Sequence, residues 1–179
     1  ALVKETGKQG INLGFRKITY LYHSTDINND PITLSAAAIW PGYFHNGVWN
    51  DIKPDNICLM EHYTITSDAE APSNTFSFEM FITGNTLTIM PDYIGYGITK
   101  EIPHPYLNHE VCAINSIDAL TAGYDLFKDK NKNGMSSDWK LYLAGASQGA
   151  GNAIAVHKYM DTHHKLSTEW NFASTNCSS

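Results

Sequence analysis

A chain of 179 residues is long enough for one domain with a sizeable hydrophobic core. Its apolar fraction of 42% and charged fraction of 17% are those of an ordinary folded protein and exclude a disordered chain. The net charge of −6 offers no broad basic surface for nucleic acid or an anionic membrane, and the longest apolar run, ITLSAAAIW, is too short to span a bilayer.

The opening ALVKETGKQG lacks the apolar core of a signal peptide, which fits either a cytosolic protein or a mature chain already processed. Residues 17–24, KITYLYHS, and 32–40, ITLSAAAIW, are strand-like, and the Asn, Asp and Pro between them predict a hairpin. Residues 56–66, NICLMEHYTIT, predict a buried strand ending near His62. A polar loop, APSNTFSFEMFITGN, then leads to the strand TLTIMPDY, which runs into the Gly-rich turn YIGYG.

From about residue 110 the period changes. Val111, Ile114, Ile117 or Asp118, Leu120 or Thr121, Tyr124 and Phe127 recur at helical spacing. The loop KDKNKNGMSSD follows, then the short strand WKLYLAG, an Ala-rich helix over 148–163, and TEWNFAS as the opening of another strand. That order predicts an α/β protein, with a largely parallel sheet behind an antiparallel edge, as one domain over residues 1–179.

The loop after the first helix places Asp129, Asn131, Asn133 and Gly134 at four positions of a calcium-loop pattern. Lys140 stands where the bidentate Glu belongs and two more lysines lie inside the loop, so a solvated turn is the commoner reading and no metal is expected. Cys58, Cys112 and Cys177 are widely separated, show no metal spacing and read as buried or free thiols.

The stretch LYLAGASQGAGNAIAVHKYM carries the chemistry. Gly145-Ala146-Ser147-Gln148-Gly149 matches G-x-S-x-G between a predicted strand and a predicted helix, the context that this motif requires. A serine on so sharp a bend tolerates almost no side chain two residues to either side. The bend lifts its Oγ above the sheet end and aims the N–H of Gln148 at a forming oxyanion.

With PDYIGYGIT at 91–99 and HPY at 104–106, this stretch resembles the α/β-hydrolase superfamily, and within it the secreted bacterial lipase/esterase-like group related to secretory lipases. The resemblance implies an α/β-hydrolase fold and a serine hydrolase that cleaves a small-molecule ester without a cofactor, in a secreted or periplasmic setting. It implies Ser147 as nucleophile, Gln148 as one backbone oxyanion donor, and Tyr63 or Thr64, in the loop after the third strand of the superfamily fold, as the other. Relatives often have an aromatic before the serine and a Gly pair after the Gln; here Ala146 and Gly149-Ala150 stand there. The same fold also hosts serine peptidases and inactive binding modules.

A serine needs a base and a group that orients the base, and the superfamily order is Ser, acid, His. After Ser147 the chain supplies Asp161, Glu169, His157, His163 and His164. His157 lies along the same helix, about 15 Å away, beyond hydrogen-bond reach. Upstream, His62 falls in the expected oxyanion loop and reads as shaping it, His104 reads as structural, and His109 is a less orthodox candidate. TEWNFAS would leave a long hydrophobic sheet edge open, so the acid and histidine are expected in a C-terminal segment or second chain. Asp92 reads either as a carboxylate near the site or, more commonly, as one that fixes its turn. Trp40, Tyr43, Phe44, Tyr93, Tyr96 and Tyr106 are placed around the same sheet end, where they line an acyl or aromatic pocket or, as often in such strands and turns, belong to the core. His62, Asp92 and Tyr93 are the site-lining candidates.

Overall fold

The computed structural model describes residues 12–75 and 84–178. The N-terminal stretch and the 76–83 part of the predicted polar loop lie outside them.

The predicted hairpin is present and longer than its apolar cores suggested. Strands β1 (Asn12–Thr25) and β2 (Pro31–His45) pair antiparallel along their whole length. Asp26 makes the reversal by accepting the N–H groups of Asn28 and Asp30 through one carboxylate oxygen, at 2.7 and 3.0 Å. A second reversal, at Asn46-Gly47 with φ of 52° and 76°, adds the short strand β3 (Val48–Asp51) against β2. Asn-Gly is the sequence signal for such a turn, and the reading of the sequence passed over it.

Strands β4 (Asn56–Glu61), β5 (Thr86–Pro91), β6 (Leu141–Ala146) and β7 (Phe172–Ser178) run parallel, with β2 antiparallel beside β5. The sheet order is β1-β2-β5-β4-β6-β7. Helices α1 (His109–Lys130) and α2 (Gln148–Thr162) match the predicted helices, and both pack on the core face with Ile57, Leu59, Leu141 and Leu143. Asn108 caps α1 by accepting from the Val111 N–H, and Lys128 and Lys130 sit at its negative end.

Three expectations change. Thr168 and Glu169 end a short helix, α3 (His164–Glu169), so the last strand starts only at Phe172. The β7 edge is mostly exposed but polar, with Ser174, Thr175, Asn176 and Ser178, rather than hydrophobic. Because β2 runs antiparallel to β5, Trp40, Tyr43 and Phe44 lie toward the opposite end of the sheet from Pro91. There Trp40 meets Phe127 edge-on, at the far end of α1. Tyr93, Tyr96 and Tyr106 alone of the predicted aromatic group remain at the site end.

Candidate active site

Ser147 stands between β6 and α2 with φ 51° and ψ −118°, a conformation that L-residues avoid because Cβ is crowded against the backbone. Two glycines make the bend possible. A Cβ on Gly145 would collide with the Gly149 carbonyl, and one on Gly149 would collide with the carbonyls of Glu61 and His62. The elbow is therefore pressed against the end of β4. Ser147 is exposed, its N–H donates to Ser178 O at 2.9 Å, and its carbonyl starts α2 by accepting from Ala150 N.

Gln148 occupies the first turn of α2, where backbone N–H groups lack intrahelical acceptors and the helix end favours negative charge. Its side chain is buried and its amide lies 2.7 Å from His104 Nε2. His104 Nδ1–H donates to the Ile94 carbonyl at 2.7 Å, which leaves Nε2 as the acceptor for the Gln148 amide. Gly95 lies directly beneath His104, with room for no side chain: a Cβ there would be 2.7 Å from the histidine backbone. The HPY and PDYIGYG stretches thus form one assembly that holds Gln148. Sequence reading missed this role of His104, because only tertiary packing brings the two residues together.

The β4 loop forms the other wall. His62 is buried and stacks on Tyr93 at 4.0 Å between ring centroids. Its Nδ1 is 2.7 Å from Tyr63 O and its Nε2 is 3.1 Å from Asp92 O. A neutral ring has one N–H for these two carbonyls; burial nonetheless lowers its pKa to about 4. Tyr63 shares with His62, Ala146, Cys177 and Ser178 a cavity of about 300 Å³. Thr64 lies farther out, its hydroxyl 3.3 Å from that of Tyr106. An open cleft of about 720 Å³ beside Ser147 is bounded by Tyr106, Leu107, His109, Gln148 and Cys177.

Asp92 is fully buried, accepts from Ser35 Oγ at 2.5 Å and from Ser73 N at 2.8 Å, and burial raises its pKa. Its carboxylate is committed to the turn. Tyr93, at φ 69°, is buried and donates to His62 O at 3.3 Å, so it supports the loop from beneath rather than facing the cleft. Asp129 pairs with Lys130, Asn131 bonds Ile52 O and the Asn133 N–H, and Asn133 bonds Asp51 O. These side chains are engaged with the backbone and Lys130, and among the described residues no group of three or more His, Cys, Asp or Glu is placed to hold a metal ion.

Among the described residues, His62, His104, His109, His157 and His163 have hydrogen-bond partners other than Ser147 Oγ. His109 Nδ1 contacts Asn152 Oδ1 at 2.7 Å, His157 reaches Thr175 and Asp161, and His163 turns back to Tyr159.

Sheet order, elbow and helix placement together define an α/β-hydrolase fold. The chain is similar to a hydrolase-like protein of Legionella pneumophila, at 22% identity over 94% of this chain and 44% of that one, with a TM-score of 0.74. It is also similar to LipA of Xanthomonas oryzae, an esterase that degrades rice cell wall, at 22% identity over 92% of this chain and 42% of that one, TM-score 0.73. Candida antarctica lipase A in its closed state matches at 16% identity over 92% and 40%, TM-score 0.56. The chain spans less than half the length of these structures. No family model matches it, and no curated protein matches its sequence.

Proposed function

We propose that the chain carries the nucleophile of a serine-dependent carboxylic ester hydrolase of lipase or esterase type. The observation that carries this reading is Ser147, exposed on a strained strand-to-helix bend with a helix N-terminus behind it. Ser147 Oγ attacks the ester carbonyl, and the N–H groups of Gln148 and of Tyr63 or Thr64 meet the oxyanion. Collapse expels the alcohol and leaves an acyl-serine, which water hydrolyses. A C-terminal segment or second polypeptide supplies the acid and histidine, and an extracytoplasmic setting accompanies the reading. Likeness in fold to an esterase and a lipase supports ester cleavage over other acyl transfers.

The test is a fluorophosphonate probe on the protein as isolated from its source, read by intact mass and peptide mapping beside Ser147→Ala. One adduct on Ser147, absent in the variant, is expected. A protein that stays unlabelled while a control serine hydrolase reacts would overturn the proposal.

A further inference from the structure

Along β4 the side chains that face the helices are Ile57, Leu59 and then Glu61. A carboxyl group thus stands where the alternation of a half-buried strand calls for an apolar residue. Glu61 is 2% exposed, and neither carboxyl oxygen has a hydrogen-bond partner among the described residues. The hydroxyls of Tyr93 and Ser116 face it without closing on it. Tyr93 is instead turned to His62 O at 3.3 Å, and Ser116 Oγ and Asn152 Nδ2 are also buried without partners. Four orphaned polar atoms from β4, α1 and α2 therefore belong to one buried cluster, directly under the candidate oxyanion loop.

The titratable groups around the carboxyl are Cys58 on β4, Cys112 on α1, Tyr22 on β1 and Tyr93 after β5. None is a cation, and none of the described ion pairs includes Glu61. An unpaired carboxylate buried in this way is strongly disfavoured, so the group keeps its proton.

We propose that Glu61 is the positioning residue of the His62–Thr64 loop, acting as a neutral carboxylic acid that ties the end of β4 to Ser116 and Tyr93, and that its ionisation loosens the loop. With the proton in place, small rotations satisfy the members: the Glu61 O–H donates to Tyr93 Oη, whose own O–H keeps the His62 carbonyl, while Ser116 Oγ and the Asn152 amide donate to the carboxyl oxygens. Without it, the carboxylate has no proton to give and draws the Tyr93 O–H to itself, which takes that donor from the His62 carbonyl and frees the loop. The Glu61 and His62 carbonyls also press on Gly149, so a shift there reaches the elbow. Burial raises the Glu61 pKa to about 7, which puts the transition near neutrality. The meaning for catalysis rests on the oxyanion reading of this loop; the positioning itself does not.

Two measurements decide it without any turnover. Side-chain carboxyl carbon shifts of Glu61, followed by NMR, are expected to titrate near pH 7; titration in the ordinary carboxylate range overturns the proposal. Amide protection factors of residues 62–64 are expected to fall by up to about tenfold per pH unit above that point in the native protein, and to be independent of pH in Glu61→Gln. The same pH slope in both proteins overturns it. Should Glu61→Gln fail to fold, the carboxyl titration still decides. Ser147 labelling is scored separately, so failure of the ester-hydrolase reading remains distinguishable.

Discussion

Ser147 is held where its own backbone resists. Its φ of 51° and ψ of −118° suit glycine, and strain of this kind costs about 1–3 kcal/mol. Ser147→Gly is therefore expected to raise stability by about 1 kcal/mol in urea denaturation, while Ser147→Ala, which keeps Cβ, gains nothing. Equal stabilities would mean that the bend stores no strain. Gly149→Ala acts in the opposite sense, because its Cβ would meet the backbone carbonyls of Glu61 and His62, which cannot rotate away. A loss of about 1–3 kcal/mol is expected in the same assay.

At the scale of elements, the turn after β5 is a clamp. Asp92 joins β2 through Ser35 and the segment before β5 through Ser73. Asp92→Ala leaves both donors without their acceptor and is expected to cost about 2–3 kcal/mol, with amide protection at Ser73 lost first. Unchanged exchange at Ser73 would show that the turn does not depend on this carboxylate. The His104–Gln148 contact links the same turn to α2 at 2.7 Å. On the proposed role of the Gln148 N–H as an oxyanion donor, His104→Ala is expected to slow phosphonylation of Ser147 on the order of tenfold, since small displacements of such a donor are costly. An unaltered labelling rate would confine His104 to packing.

Over the whole molecule, two adjacent buried groups pull the pH dependence of stability in opposite directions. His62 has a pKa lowered from 6.5 to about 4, so its contribution is present above 6.5 and lost as pH falls through 4. Glu61 has a pKa raised from 4.5 to about 7, so its contribution is present below 4.5 and lost as pH rises through 7. Between about pH 4.5 and 6.5 the two slopes oppose each other, and a shallow profile is expected from denaturation at stepped pH. In Glu61→Gln the opposing Glu61 slope is removed, and stability should change with pH more positively across that range than in the native protein. A variant profile identical to the native one would contradict this assignment.

The hairpin, the two long helices, the β4, β5 and β6 strands and the elbow were legible in the sequence because each is written in local chemistry. Period-two and period-3.6 patterns, Asn/Asp/Pro reversals and glycines around Ser147 act within a few residues of one another. Other features depended on distant partners. Trp40, Tyr43 and Phe44 moved to the far end of the sheet because the direction of β2 is set by its pairing with β5. Thr168 and Glu169 went to helix α3, and β7 began only at Phe172, where it pairs with β6. Glu61 passed without notice inside the predicted strand 56–66, because the groups around it come from α1, α2 and the turn after β5. Sequence alone determined which residue stands at the elbow and why glycines flank it. Tertiary structure decided what presses on that elbow, because burial and hydrogen-bond partners are set by residues brought together across the chain.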